Sequence, residues 1–134
     1  MADAGDAPIL YNEFTVGPKS SDRSAFSNVI AHPGTVVHGA FLGGELVAMV
    51  TLHLLPNVLW GARPYGLIEN VVTRAQFRGR GFGRSAIQAA IDAAWDANAF
   101  KIMLMTGQKR LAMGFYEALG FFREDKFAMV LRRT

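Results

Sequence analysis

Residues Glu69 to Trp95 read ENVVTRAQFRGRGFGRSAIQAAIDAAW. Apolar β-formers lead into Arg78-Gly79-Arg80-Gly81-Phe82-Gly83, and apolar residues at helical spacing (Ile87, Ile91, Ala94, Trp95) follow it. The stretch predicts a strand, a glycine-rich turn and an amphipathic helix. That succession suits phosphate. Glycines let a ligand approach the backbone, the first turn of a helix leaves N–H groups unpaired, and the helix dipole favours an anion. Arg74, Arg78, Arg80 and Arg84 set four cationic side chains around the same turn. A ligand with several phosphates is expected here.

Working outward, Leu67–Thr73 is the strand that feeds the turn, and the helix runs from about Gly81 to Asn98. Phe100–Met105 is the next strand. A strand reached through a helix should lie parallel to the one before it, by a right-handed crossover. Upstream, Thr35–Leu42 and Glu45–Leu54 flank Gly43-Gly44, which predicts an antiparallel hairpin. A helix capped at Ser20 or Ser21 carries Ala25, Phe26, Val29 and Ile30 on one face and stops at His32-Pro33-Gly34. Ile9–Phe14 reads as the end of an earlier helix, and Met1–Pro8 as a fraying terminus. Downstream, Gln108–Leu119 is a helix ended by Gly120, and Phe121-Phe122 and Phe127–Arg132 are two closing strands. The order ααββ(βαβ)αββ predicts an α/β (α+β) fold. Its sheet is mixed and mainly antiparallel, with one parallel βαβ pair and helices on both faces.

The chain has 134 residues, half of them hydrophobic and a fifth charged, which suits one globular domain over residues 1–134. It has no cysteine, so disulfides, thiolate metal sites and an acyl-cysteine intermediate are excluded. His32, His38 and His53 lack metal-ligand spacing, and no metal is expected. A net charge of +3 without long basic runs favours an anionic small ligand over nucleic acid. No apolar run reaches the ~20 residues that span a bilayer, and the N-terminus lacks a signal-peptide core. The expectation is a cytoplasmic protein with neither a membrane nor a nucleic acid as partner.

Two motifs resemble one family. Arg78-x-x-Gly81-x-Gly83, between a strand and a helix, is similar to the Q/R-x-x-G-x-G/A motif of the Gcn5-related N-acetyltransferase (GNAT) superfamily. Phe115-Tyr116-Glu117-Ala118-Leu119-Gly120-Phe121 resembles that superfamily's C-terminal FYExxGF motif. Together they are specific, and the resemblance covers roughly Thr35 to Arg132. The chain departs from the family pattern at its start, where the usual first strand and most of the first helix are missing from the reading. An uncovered sheet edge is a pairing liability, so a homodimer is expected.

The resemblance implies acetyl-CoA as donor and an amine, small or protein-borne, as acceptor. It implies that the amides and side chains of Arg78, Gly79, Arg80, Gly81, Phe82, Gly83 and Arg84 hold the CoA diphosphate. It also implies that Val71, Val72 and Thr73 offer a strand edge to the pantetheine arm, with the N–H of Val71 or Val72 facing the thioester carbonyl. Tyr116 matches the tyrosine that protonates the departing thiolate. The amine must lose a proton, and Glu69 stands two residues before Val71, on the same face of a regular strand. Two readings of Glu69 stand: a general base, acting directly or through a water, and a carboxylate paired with an arginine such as Arg63. His53 on the neighbouring strand, and Trp60 and Tyr65 on the connection before the Glu69 strand, are candidate acceptor-groove residues. Each also has a packing role as its alternative. The activity expected is direct acetyl transfer to a primary amine in a ternary complex. The alternative is an acetyl-CoA-binding or regulatory module without catalysis.

Overall fold

A computed structural model describes residues 23–107 and 112–133. The chain divides into two compact units, Met1–Leu104 and Met105–Thr134. In the first, helix α1 (Arg23–Ala31) precedes strands β1 (Thr35–Leu42), β2 (Glu45–Leu55) and β3 (Tyr65–Thr73), helix α2 (Phe82–Asp96) and the short strand β4 (Ile102–Leu104). The sheet order is β1-β2-β3-β4, antiparallel except for the parallel pair β3–β4. This is the mixed sheet with a βαβ unit that the element order predicts.

Local chemistry accounts for the hairpin. Gly43 and Gly44 both have positive φ (58° and 82°), and Leu42 pairs with Glu45 across them. Two left-handed residues make the two-residue turn whose twist matches its strands, and two glycines adopt it without a Cβ penalty. Packing uses both faces. On one, Phe26 of α1 joins Val37, Leu46, Met49 and Val72, with Val29 and Ile30 against them. The other takes the buried face of α2, Ala86, Ile87, Ala90, Ile91 and Ala94. There Gly66 allows the close approach: a Cβ on it would stand 3.2 Å from Leu52 Cδ1 and 3.6 Å from Ala94 Cβ.

Several boundaries move. β3 begins at Tyr65, not Leu67, so Tyr65 and Gly66 belong to the strand rather than the connection. β4 is shorter than Phe100–Met105 because only Gly66, Leu67 and Ile68 pair with it. α2 ends in two backbone bonds, Asn98 N–H to Trp95 O and Ala99 N–H to Ala94 O, with Asn98 left-handed at φ 62°. This closure satisfies the carbonyls of Ala94 and Trp95 in the last turn. The expected first helix tail, the Ser20/Ser21 cap and the edge-strand question lie outside the described residues.

In the second unit, helix α3 (Met113–Ala118) ends the same way. Gly120 (φ 99°) donates to Glu117 O, Phe121 donates to Tyr116 O, and the Tyr116 and Phe121 rings meet edge to face at 6.2 Å. The FYEALGF motif is thus a helix C-terminus with its glycine at the left-handed position and its hydrophobic clasp. The expected start of this helix at Gln108 lies outside the described residues. The strands expected at Phe121-Phe122 and Phe127–Arg132 do not form: no ladder exists there among the described residues. Phe127 and Leu131 are 100% exposed. Alternating apolar residues favour an extended chain, but a strand needs a neighbour to pair with.

Candidate active site

The site is built on β3 and the turn that follows it. Thr51 of β2 opposes Glu69 and Met49 opposes Val72, so Val50 alone faces both Asn70 and Val71. This is a β-bulge, with Asn70 left-handed at φ 53°. It breaks the alternation on which the pairing of Glu69 with Val71 rested. Cross-strand partners share a face, so the register puts Glu69 with Val72, on the side of Thr51 and Met49. The expectation that Glu69 and Val71 share a face is therefore corrected. The missing signal was the register of β2, which the β3 residues do not encode.

On its other edge β3 is paired with β4 only as far as Ile68–Leu104. From Glu69 to Thr73 that edge has no ladder among the described residues. The strand then leads through a 3-10 turn (Ala75–Phe77) into Gly79 (φ 75°) and Gly81 (φ 86°). No atom lies within 4 Å of a Cβ built on either glycine, so backbone conformation, not crowding, is what demands glycine there. Gly81 is the N-cap of α2, and no side chain among the described residues caps the helix. Its first-turn N–H groups are left for another partner. Gly79, Arg80, Gly81 and Arg84 are exposed; Phe82 and Gly83 are half-buried.

The arginines around the turn make different contacts, although Arg74 and Arg80 share the Phe77 ring at 5.9 and 5.6 Å. Arg74 pairs with Glu45 at the start of β2. Arg78 Nε donates to the Thr73 carbonyl at 3.2 Å, tying the turn to the strand end. The Arg80 guanidinium lies 5.6 Å from the Phe77 ring centroid and 5.3 Å from that of Phe82. The two rings meet edge to face at 6.1 Å. That seat directs Arg80 at a modest gain, about 0.5–1 kcal/mol for an exposed contact.

Arg63, the alternative partner of Glu69, is engaged elsewhere. It donates to the carbonyls of Asn98 and Ala99 at 3.1 and 3.2 Å. Trp60 is 68% exposed and stacks on Phe100 (5.4 Å between centroids, 16° between planes). Tyr65 meets Phe100 edge-on, and Lys101 Nζ stands 5.3 Å from both the Tyr65 and Phe100 rings. Trp60 and Tyr65 thus form an aromatic group with Phe100, a residue the sequence reading did not single out. His53 lies on β2 opposite Leu67, on the face of Thr51 and Glu69, and its Nδ1 is 2.8 Å from Thr35 Oγ1. Tyr116 is in the second unit, half-buried between Phe115 and Phe121. Among the described residues no group of His, Asp or Glu could hold a metal.

Comparison with known proteins gives this geometry a family. The Acetyltransferase (GNAT) family model matches residues 7–121. The chain belongs to the GNAT acetyltransferases. A solved protein from Agrobacterium tumefaciens str. C58 that carries an acetyltransferase name is 36% identical, with 98% of this chain and 96% of that one covered and a TM-score of 0.87. A Trypanosoma brucei acetyltransferase structure is 26% identical over 98% and 93% of the two chains, with a TM-score of 0.80. A glucosamine 6-phosphate N-acetyltransferase of Trypanosoma brucei brucei is 33% identical over 83 residues, 62% of this chain. That match spans 55% of the relative's length.

Proposed function

We propose that this GNAT chain is an N-acetyltransferase that moves the acetyl group of acetyl-CoA to a primary amine by direct attack in a ternary complex. One observation carries the reading. The edge of β3 that is released beyond Ile68 leads, through one 3-10 turn, to the turn from Gly79 to Arg84 at the start of α2. Backbone without a ladder on β3 and the first turn of α2 thus stand at the two ends of one short segment, Glu69 to Arg84.

The residues present fit the donor. The amides from Gly79 to Arg84, with Arg78, Arg80 and Arg84, hold its diphosphate. Val71, Val72 and Thr73 offer the edge to its pantetheine arm. Bound acetyl-CoA supplies an activated thioester as the acetyl source. The N–H of Val71 or Val72 faces the carbonyl oxygen as charge builds there, the kind of contact worth about 2.7–4 kcal/mol in other enzymes. Glu69 takes the proton of the acceptor ammonium, directly or through a water; Arg63, bound elsewhere, does not compete for it. For Tyr116 the support is the sequence motif, which gives it the role of acid to the departing thiolate. The absence of cysteine from the sequence agrees with direct attack.

The acceptor named for the Trypanosoma brucei brucei relative, glucosamine 6-phosphate, is the first to try. CoA release is followed with that compound, spermidine, an aminoglycoside, free amino acids and a peptide amine. Turnover of one of these, lost by at least tenfold in Glu69→Gln, is the expected result. CoA binding with no turnover across the panel would leave a donor-binding module and overturn the enzyme reading.

A further inference from the structure

Away from the donor turn, three side chains that the proposed mechanism does not use are joined in series. Thr35 Oγ1 lies 3.0 Å from His32 Nδ1 and 2.8 Å from His53 Nδ1. Thr35 is buried, at 7% exposure, His53 is half-buried and His32 is exposed. The backbone holds the three in place. Thr35 opposes His53 in the β1–β2 register, Thr35 N–H donates to His32 O at 3.1 Å, and Leu54 N–H donates to Gly34 O at 2.7 Å. Gly34 makes the intervening turn at φ 79°.

A threonine hydroxyl has one hydrogen. Set between two imidazole Nδ1 atoms, it donates to one and accepts from the other. One histidine must then carry a proton on Nδ1 while the other does not. The two tautomers are linked, and a change at one ring reverses the hydroxyl and changes the other. The inner end of the series sits beside the candidate base. Thr51 opposes Glu69 and His53 is two residues further along β2, so His53 and Glu69 are diagonal neighbours on one sheet face. Such neighbours are about 7–8 Å apart. On this face β3 carries the ionisable residues Glu69 and Tyr65, the latter at the far end opposite Leu55. His32 is the ionisable residue of the α1–β1 turn, and α1 packs on the sheet through apolar Phe26, Val29 and Ile30.

We propose that His53, Thr35 and His32 form a proton relay from the acceptor side of the sheet to solvent. This rests on the acetyltransferase reading above. Acetylation of an ammonium by a thioester yields an amide, a thiol and one free proton, so each turnover leaves a proton to dispose of. In the relay, His53 accepts that proton at Nε2 from Glu69 or a water beside it. Its Nδ1 proton passes to Thr35 Oγ1, the hydroxyl proton passes to His32 Nδ1, and His32 releases its Nε2 proton to solvent. Reorientation of the hydroxyl and the return tautomer shift reset the series. Thr35 is a positioning residue in this scheme.

The test has a part that needs no substrate. Imidazole nitrogen NMR of the ligand-free protein, assigned with single His→Gln variants, reports the tautomers of His32 and His53 at pH 8. Opposite Nδ1 protonation in the wild type, retained in Thr35→Ser and lost in Thr35→Val, is the expected result. Equal tautomers in the wild type, or tautomers unmoved by Thr35→Val, would overturn the relay. The second part follows CoA release from acetyl-CoA with D-glucosamine 6-phosphate. Thr35→Val lowers kcat roughly tenfold and shifts the acidic limb of the pH profile, with KM for acetyl-CoA unchanged and Thr35→Ser close to wild type. A Thr35→Val enzyme with parallel pH profile and unchanged kcat also overturns it. Wild-type inactivity on the whole amine panel counts against the acetyltransferase reading, while the tautomer measurement still decides the relay's linkage.

Discussion

Glu69 and Val72 stand on one face of the sheet although they are three positions apart, because Asn70 and Val71 together face the single residue Val50. The bulge has two consequences. It keeps Val72 in the apolar cluster under α1 while Glu69 stays half-buried beside Thr51. It also lies where the β4 ladder has already ended, so the strand bends in a stretch whose edge has no ladder among the described residues.

Asn70 is a residue type that tolerates left-handed φ. Asn70→Gly should leave stability within about 0.5 kcal/mol, since the bulge needs only the φ that glycine adopts freely. Asn70→Val should cost about 1–3 kcal/mol, as a β-branched residue is forced into that region. Urea unfolding of the three proteins checks this. Equal midpoints for Val and Asn would show that the bulge is not left-handed in solution.

Gly81→Ala introduces a Cβ at φ 86° into open space, so the effect is conformational and local to the α2 N-terminus. CoA affinity measured by calorimetry should weaken about tenfold, the equivalent of one left-handed alanine at about 1–2 kcal/mol. Gly61→Ala meets the same kind of φ (67°) with no neighbouring atom and serves as control. Its CoA affinity should stay within about twofold.

Gly34→Ala has a harder problem. Its Cβ would stand 2.7 Å from the Leu54 carbonyl oxygen, a backbone atom, at φ 79°. Left-handed strain and overpacking together predict a loss of about 2–4 kcal/mol. A fall of several degrees in Tm is expected, and an unchanged Tm would mean that the α1–β1 turn differs from the one described.

His38 supplies a pH dependence. Its Nε2 is buried with no hydrogen-bond partner among the described residues, and burial pushes its pKa below the ordinary 6.5. Between the folded value and 6.5 the unfolded chain binds the extra proton, so stability rises with pH across that window and falls as pH is lowered through it. The contribution is whole above 6.5 and is lost as pH drops through the folded value. His38→Phe should flatten the fall in unfolding free energy between pH 7.5 and 5, measured by denaturant titration. Parallel curves for the two proteins would remove His38 as the cause.

Much of the hairpin, of the turn before α2 and of the helix ends was legible because the causes are local. Gly43-Gly44 implied a two-residue hairpin turn through the backbone freedom of glycine alone. Gly79, Gly81 and Gly83 implied a turn before a helix, which the structure makes with left-handed Gly79 and Gly81, and Gly120 implied a helix end, for the same reason. The helical spacing of Ile87, Ile91 and Ala94 named the face that packs on the sheet. Trp95, which continued that spacing, is exposed because α2 turns it past the edge of the buried face.

What the sequence by itself determined, then, is the succession of elements, the glycine-rich turn at the start of α2, and the two motifs that mark the family. Each depends on residues close in the chain. Tertiary structure alone decided the partners. Glu69 shares its face with Val72 because β2 shifts register at Val50. Arg74 is held by Glu45 and Arg63 by the end of α2, since those groups meet only when distant segments pack. Thr35 joins two histidines because β1 and β2 set it opposite His53. Phe127–Arg132 is not a strand among the described residues, although its alternation is right, because hydrogen bonds to a neighbour make a strand and alternation does not.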